Sequence, residues 1–421
     1  MLVEIRKTAD RIACYADKKG FLIGALHGNS KVGDGKGGRC NSVYIRRYHH
    51  AAARSEVALH CLYYADCFYM TTPPRVGLVY DVFSDYVWTD DAPPDADAEF
   101  EPIETVDVLA EALRQCGAEP VRVGPARALQ DQLRTGLSLD AALTIAEGQG
   151  TRNREAHAPI LLELAGIPQW GSDALTLSLT LDKATTKDLA VRAGIKTPQW
   201  TVFSGVEGIS KEALPAPFPL FVKPRYEGTS KGIAPASKVR TLDALRDEVD
   251  RQITLYQQDV IVESFVDGGG EFTVAVVGNN PPRALPVLQR AIEPTTGIGL
   301  HALERRGAPD REWDYTIAGT LSESLETRLC RDALRLYQKL ECRDVARIDF
   351  RVDAEGTPYL LEINPLPTFA PDGTFAIIAE LMNRPYPDLL ADVIAAGLKR
   401  LGVHPLADRA PLTSGMVLAE L

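Results

Sequence analysis

Four polar side chains interrupt two apolar runs in the carboxyl-terminal part of the chain. Arg347 and Asp349 lie two residues apart in the first run, and Glu362 and Asn364 lie two apart in the second. The alternation and the Asp- and Gly-rich turn between the runs predict a β-hairpin that pairs Asp349 with Glu362 and Arg347 with Asn364. Because residues two apart on a strand share a face, all four groups should project to one side.

Such a cluster is suited to binding a metal ion. Two carboxylates and an amide oxygen form a hard-oxygen ligand set of the kind that Mg²⁺ prefers, completed by substrate phosphates, and the arginine could hold an anion. The opposite face should be apolar and should carry Ile348, Phe350, Leu361 and Ile363. Two alternatives are a half-exposed hairpin with a polar outer face and a register one residue different, which would divide the set between faces.

A lysine followed by a glycine-containing loop could bind phosphate. Lys223 ends the apolar run 218–223, and the loop that follows is rich in Gly, Ser, Thr and Lys up to Ile233. An ammonium group and backbone N–H groups are suitable donors to phosphate oxygens. The spacing is not that of a P-loop, and an ordinary flexible hairpin tip is the alternative interpretation.

Two glutamates stand on either side of a glycine-rich crossover. Glu263 ends one apolar run and Glu271 begins the next, which predicts a strand, a loop and a second strand. Carboxylates at such positions can accept hydrogen bonds from an amino group and from ribose hydroxyls, while the backbone of residues 264–266 pairs with a purine edge. The alternative is that both carboxylates cap strand ends.

Taken together, these segments resemble the D-alanine–D-alanine ligase branch of the ATP-grasp family. Order and spacing match over roughly residues 75–400, and the matching motifs are Lys183, 222–232, 262–265, 270–274, 347–349 and 360–365. The resemblance implies an α/β and α+β fold in which a pre-ATP-grasp α/β domain precedes two α+β lobes that clasp ATP. It also implies ATP and two Mg²⁺ ions as cofactors, with Mn²⁺ as a substitute.

The resemblance further implies roles for single residues. Lys183 and Lys223 would bind the phosphates of ATP, and a mobile loop would cover them that contains Glu227, Gly228, Thr229, Ser230 and Gly232. Adenine would be bound by Glu263, Ser264, Phe265 and Val266. Glu271 would bind the ribose. The metal ligands would be Asp349, Glu362 and Asn364. The catalytic residues would be Lys223, Ser230 and Arg347, the last of which would stabilise the oxyanion of the tetrahedral intermediate.

The substrate-binding segments depart from the family. After its asparagine the family has Thr-Ser-Pro-Gly-Met-Thr, whereas residues 365–373 read Pro-Leu-Pro-Thr-Phe-Ala-Pro-Asp-Gly. The family's His-Gly stretch is Glu147-Gly148 here. The acceptor pocket should therefore differ, and D-alanine as the donor stays open.

Two family residues lack a clear counterpart. For the glutamate that holds the first substrate's amino group, Asp81 and Asp85 are positional candidates. For the phosphate-contacting lysine expected between residues 294 and 313, Arg305 or Arg306 could serve instead.

The pattern of apolar residues predicts the elements that must position these groups. Predicted strands are 76–80, 120–123, 141–146, 219–223, 260–263, 271–277, 345–352 and 358–364; predicted helices are 103–116, 154–165, 182–194, 242–255 and 325–340. We expect an extension over 1–74, an α/β domain over 75–182, a central lobe over 183–266, a carboxyl-terminal lobe with the metal site over 267–405, and a tail over 406–421.

Bulk properties narrow the class of protein. A chain of 421 residues should form two to four domains, and a net charge of −11 argues against nucleic-acid and anionic-membrane partners. The seven cysteines include no CxxC pair, and no apolar run is long enough to span a membrane. We expect a cytoplasmic enzyme with small amino-acid substrates; the oligomeric state stays open, a homodimer included.

The first 74 residues lie outside the resemblance. Residues 33–38 formally satisfy GxGxxG, but the following residues do not read as a helix, so a dinucleotide site is not expected. His49, His50 and His60 could be metal ligands, although solvated helix histidines are the simpler interpretation.

The sequence thus predicts a ligase that activates an amino acid as an acyl phosphate and passes it to the amine of a second one, releasing ADP and phosphate. The product would be a dipeptide of specialised metabolism, γ-glutamyl or alanyl, with D-alanine–D-alanine ligation for the cell wall as the alternative. A carboxylase-type or polymer-modifying ATP-grasp ligase and a non-catalytic nucleotide-binding regulator remain as further alternatives.

Overall fold

The computed structural model describes residues 72–89, 92–304, 312–403 and 414–418, together with two strands near the amino terminus. The chain divides into two compact units, Met1–Thr72 and Pro73–Leu421. In the first unit, β1 (Ile12–Tyr15) pairs antiparallel with β2 (Leu22–Ala25). The GxGxxG stretch and the three histidines of the extension lie outside the described residues.

The second unit begins with a parallel sheet. Its strands are β3 (Arg75–Tyr80), β4 (Glu119–Gly124), β5 (Ala141–Ile145) and β6 (Gln169–Trp170), in the order β4-β3-β5-β6. Helices α1 (Ile103–Gln115), α2 (Ala126–Arg134) and α3 (His157–Leu164) connect them. Every residue of β5 is buried, as expected for a parallel strand covered on both faces.

Two antiparallel sheets follow. The first contains β7 (Trp200–Phe203), β8 (Leu220–Pro224), β9 (Lys238–Val239) and β10 (Val260–Ser264), in the order β7-β10-β8-β9. The second contains β11 (Gly268–Val277), β12 (Arg283–Ala284), β13 (Leu288–Arg290), β14 (Val345–Asp353) and β15 (Pro358–Asn364), in the order β12-β11-β14-β15 with β13 beside β11. The associated helices are α6 (Leu242–Tyr256), α7 (Leu300–Leu303) and α8 (Glu323–Lys339).

A helix that the sequence did not predict, α4 (Ala174–Leu181), precedes a predicted one. The helix predicted over 182–194 is confirmed as α5 (Lys183–Arg192), and Asp182 separates the two. The Asp182 carboxylate accepts hydrogen bonds from the backbone of Ala184 and Thr185, at 3.1 and 3.3 Å, and therefore caps the second helix. Arg225 donates two hydrogen bonds to the same carboxylate, at 2.7 and 2.8 Å. The break fixes Lys183 at the first position of α5.

The last two helices return to the first sheet. Helices α9 (Thr374–Leu381) and α10 (Tyr386–Arg400) pack in the same apolar core as α1, β3 and β5. The residues after the β14–β15 hairpin therefore share a core with the amino-terminal part of this unit. No helix within the described ranges is both long enough and apolar enough to cross a membrane.

Candidate active site

The predicted hairpin pairing is confirmed. Asp349 lies opposite Glu362 and Arg347 lies opposite Asn364 across β14 and β15. The Asn364 Nδ2 atom is 3.5 Å from Asp349 Oδ2 and 3.5 Å from Glu362 Oε1, so the three side chains converge. Among described residues no group of three His, Cys, Asp or Glu side chains is placed to hold a metal ion.

The expected apolar face is wrong at one position. Ile348, Phe350 and Ile363 are buried in the core, but Leu361 is only half-buried and the core position belongs to Leu360. The cause is a β-bulge, because Asp349 pairs with Glu362 whereas Phe350 pairs with Leu360. The extra residue turns outward, as bulges next to active sites commonly re-aim a side chain.

Two arginines stabilise the ionised carboxylate of Asp349. Arg347 Nε donates to Asp349 Oδ2 at 3.0 Å, and Thr273 Oγ1 donates to Asp349 Oδ1 at 2.7 Å. Burial raises the pKa of Asp349, but Arg347 and Arg290 outweigh that effect and keep the pKa below its ordinary value. Arg290 was not predicted; it lies on the short strand β13 and reaches Thr273 Oγ1 at 3.2 Å. No sequence pattern connects it to a hairpin more than fifty residues away.

The cleft between the two antiparallel sheets collects most of the predicted ATP-binding residues. This cavity has a volume of about 800 Å³ and is called the cleft below. Its lining includes Lys183, Lys223, Glu227, Ser230, Glu263, Ser264, Phe265, Val266, Glu271, Asp349 and Glu362. Of the other predicted residues, Gly228, Thr229, Arg347 and Asn364 line the second cavity described below, and Gly232 lines neither.

A third lysine joins the two predicted ones. Glu263 Oε1 is 3.2 Å from Lys223 Nζ and 2.9 Å from Lys187 Nζ. Lys187 is completely buried, and burial lowers its pKa to about 8. Burial raises the pKa of Glu263, but Lys187 and Lys223 bring it below its ordinary value. Lys187 follows Lys183 by four residues on α5, and this i, i+4 spacing is the signal that could have identified it.

The loop over the cleft is held by carboxylates from an earlier segment. Gly232 N donates to Asp95 Oδ2 at 2.8 Å, and Lys231 Nζ lies 3.1 Å from Glu99 Oε2. Thr229 and Ser230 have left-handed φ values of 42° and 58°. This backbone conformation is unfavourable for residues other than glycine, so the contacts around the loop must stabilise the turn. The predicted loop is therefore anchored to the Asp- and Pro-rich segment that precedes α1.

The second cavity is strongly acidic. This cavity has a volume of about 580 Å³ and is called the acidic pocket below. Its charged lining residues are Glu99, Glu101, Glu147, Glu155, Lys183, Glu227, Arg347 and Glu362. Asn364 and residues 365–368 also line it. Lys183, Glu227 and Glu362 line both cavities, so the cleft and the acidic pocket meet beside the β14–β15 hairpin.

Comparison with known proteins shows which family this chain belongs to. The family model described as the D-ala D-ala ligase C-terminus matches residues 189–395. The D-alanine–D-alanine ligase of Cupriavidus taiwanensis is 33% identical over 58% of this chain and 72% of that protein. The corresponding ligase of Desulforudis audaxviator is 29% identical over 69% of this chain and 91% of that protein. The chain belongs to the D-alanine–D-alanine ligase-like family of ATP-grasp enzymes.

Solved structures confirm the predicted fold class. The D-alanine–D-alanine ligase from Bacillus anthracis, complexed with ATP, superposes with a TM-score of 0.58 at 22% identity and covers 78% of this chain and 98% of that one. The VanG D-Ala:D-Ser ligase from Enterococcus faecalis gives 0.57 at 17% identity, over 77% and 100%. The protein is an ATP-dependent ligase that joins a carboxylate to an amine through a C–N bond, as the sequence predicted.

Neither positional candidate for the family's amino-group ligand lines the acidic pocket. Asp81 accepts hydrogen bonds at both oxygens, from Tyr86 Oη and from Gly148 N, and Asp85 accepts one from the backbone of Val82 at 3.0 Å. Glu101, at the start of α1, lines the pocket instead and is 7% exposed. Arg305 and Arg306 lie outside the described residues, so their role stays a prediction.

Proposed function

We propose that this ATP-grasp ligase joins the carboxylate of one amino acid to the amine of a second one, through an acyl phosphate, and releases ADP and phosphate. The observation that carries the proposal is the meeting of two cavities at Lys183, Glu227 and Glu362. A carboxylate in the acidic pocket would then lie next to the γ-phosphate of ATP bound in the cleft. Positioning of this kind is the main requirement of phosphoryl transfer.

The residues present fit magnesium. Asp349, Glu362 and Asn364 would hold up to two Mg²⁺ ions, or Mn²⁺, because two carboxylates and an amide that converge within 3.5 Å are hard-oxygen ligands. Since either orientation of a side-chain amide fits such a position, Asn364 can present Oδ1 to a cation. The ions would neutralise charge on the transferred phosphoryl group.

The chain's own residues would perform the remaining tasks. Lys183 and Lys223 would bind phosphate oxygens, and Arg347 would stabilise the oxyanion that forms when the amine attacks the acyl phosphate. Ser230 and the backbone of the loop would cover the phosphates and exclude water, which would otherwise hydrolyse the acyl phosphate. Glu271 would hold ribose, and the backbone of 264–266 would bind adenine.

The named relatives favour one specific product. Several of them are D-alanine–D-alanine ligases, which supports that reaction as a second candidate. The altered 365–368 segment and Glu147, which line the acidic pocket, support a different dipeptide, and the predicted alternatives are an alanyl and a γ-glutamyl product. Of these two, the acidic lining disfavours a γ-glutamyl donor, because that donor carries a second carboxylate.

A panel of amino acids would test the proposal. Purified protein with ATP and Mg²⁺ is incubated with single and paired D- and L-amino acids, ADP is measured by a coupled assay, and products are identified by mass spectrometry. We expect ADP formation that depends on amino acids, together with a dipeptide mass. A complete panel that gives no ADP above background would contradict the proposal.

A further inference from the structure

Two glutamates in the acidic pocket are placed together by their own local structure. Glu147 follows β5 directly, and Glu155 lies in the short 3-10 turn Arg154–Ala156 that precedes α3. Gly148 has a left-handed φ of 68°, and a Cβ on it would lie 2.8 Å from the carbonyl oxygen of Arg154. The Gly148 N–H donates to Asp81 Oδ2 at 2.8 Å. The turn therefore brings the two glutamate segments into close contact and fixes them.

Two other carboxylates of this wall, those of Glu99 and Glu227, already have strong partners. Glu99 Oε1 accepts hydrogen bonds from Arg154 and from Gly228 N, and Glu99 Oε2 lies 3.1 Å from Lys231 Nζ. Glu227 Oε2 lies 2.6 Å from the same lysine, and its Oε1 accepts a hydrogen bond from Gln258 at 2.7 Å. Two cations thus neutralise two carboxylates.

Glu147 and Glu155 are less well compensated. The Arg154 Nη1 atom is 3.9 Å from Glu147 Oε2 and 3.6 Å from Glu155 Oε1, beyond good hydrogen-bond distance in both cases. Arg154 is also shared with Glu99 and Glu227. Burial, together with the neighbouring carboxylates, raises the pKa of Glu155 to about 7 and that of Glu147 well above its ordinary value. The two carboxyl groups also share a side-chain hydrogen bond, so a cation bound beside them would replace the proton of this pair.

The count of charges points the same way. Of the six glutamates that line the acidic pocket, Glu362 is a proposed metal ligand, and Arg347 is paired with Asp349. The other five glutamates face three cations that line the pocket or contact them, namely Arg154, Lys183 and Lys231. Two negative charges therefore remain. The α-ammonium group of one amino acid, bound near Glu101, would neutralise one of them and leave the second for another cationic group.

On the basis of the proposed function, we propose that one of the two substrates is a basic amino acid, whose side-chain ammonium or guanidinium group binds between Glu147 and Glu155. The same charges would repel acidic amino acids. Neutral amino acids of equal size would fit the space but leave the two carboxyl groups without a counter-charge.

Matched pairs of substrates test the role of charge at constant shape. ADP formation and dipeptide mass are measured for arginine against citrulline and for lysine against norleucine, each in D and L form and with a common set of partner amino acids. We expect kcat/KM to be at least about 30-fold higher for the charged member of at least one pair, as for a buried charge pair. The pair with the larger ratio of kcat/KM values shows whether the site recognises a guanidinium or an ammonium group.

Variants locate the effect. The double variant Glu147→Gln/Glu155→Gln should lose most of this preference, to about threefold or less, mainly through a higher KM for the basic substrate. Glu163→Gln changes an exposed glutamate on α3 and should keep the preference. If the double variant does not fold, calorimetric binding of arginine and citrulline to the wild-type protein with a non-hydrolysable ATP analogue gives the same comparison.

The outcomes separate this inference from the proposed function. Equal kcat/KM within both pairs, or a preference for basic amino acids that the double variant keeps, overturns the inference and leaves the ligase activity intact. No ADP formation with any amino acid overturns the proposed function itself.

Discussion

Buried glutamates behave differently in the cleft and in the acidic pocket. In the cleft, Glu263 lies within 3.2 Å of two lysines, and its pKa is below the ordinary value. In the acidic pocket, Glu147 and Glu155 reach only a shared arginine at 3.9 and 3.6 Å, and their pKa values are raised. Burial is similar, so the difference lies in the partners. Glu263 in the cleft is thus compensated by two lysines, whereas Glu147 and Glu155 in the acidic pocket have no cation of their own within hydrogen-bond distance.

The largest expected effect is at Glu362, which lines both cavities. Glu362→Gln should lower kcat by about 10³-fold or more, because an amide cannot supply the negative charge that holds a cation beside the transferred phosphoryl group. Steady-state kinetics and thermal unfolding measure this. The melting temperature should change little, since the side chain is half-buried and outside the core.

Glu380→Gln, at an exposed position on α9, is the matched control and should keep wild-type kcat. If Glu362→Gln kept more than a tenth of wild-type kcat, the convergence of Asp349, Glu362 and Asn364 would have a structural role and the metal site would have to lie elsewhere.

A smaller effect is expected where the loop of the cleft is attached to the acidic pocket. Lys231 joins Glu227 and Glu99 at 2.6 and 3.1 Å, so Lys231→Met should loosen the loop and admit water to the acyl phosphate. We expect about tenfold lower dipeptide formation with a smaller loss of ADP formation, so that the ratio of ADP to dipeptide rises above one.

The measurement is the ratio of ADP to dipeptide in the same reaction mixture. Lys211→Met, at an exposed position, should leave this ratio at the wild-type value. An unchanged ratio in Lys231→Met would show that the loop excludes water without this ion pair.

The two cavities also differ in how far the sequence predicts them. The hairpin could be predicted because strand periodicity and the turn fix which residues face each other, and only the bulge at Leu361 displaced one side chain. The proposed metal ligands and the two predicted lysines of the cleft lie within continuous motifs. Asp182 followed by a helix carried a capping signal that could have revealed the break between α4 and α5.

The acidic pocket could not be predicted in the same way. Four of its six glutamates come from the loop before α1, from the residues after β5 and from the turn before α3, and no periodicity connects these positions. Asp81 was a reasonable positional candidate, but Tyr86 and Gly148 occupy both of its oxygens. Long-range packing, which also places α10 against α1 and α9 against α10, decides which carboxylates meet.

The smallest expected effect concerns stability, and it tests whether the acidic pocket is strained without a cation. The pKa of Glu155 is about 7 in the folded protein, against an ordinary value of 4.5. Between these pH values the folded protein binds more protons than the unfolded chain, so this group's contribution to stability is lost as pH rises from 4.5 through 7.

Glu155→Gln cannot ionise, so its melting temperature relative to wild type should rise by a few degrees between pH 5 and pH 8. Calorimetric unfolding of both proteins at the two pH values measures this difference, and Glu163→Gln should show no such change. Arginine or lysine, if it binds between the two carboxylates, should raise the wild-type melting temperature at pH 8 more than that of Glu155→Gln. A difference between the proteins that is the same at both pH values would mean that Glu155 is compensated in the folded state, and the contrast between the two cavities would then rest on shape alone.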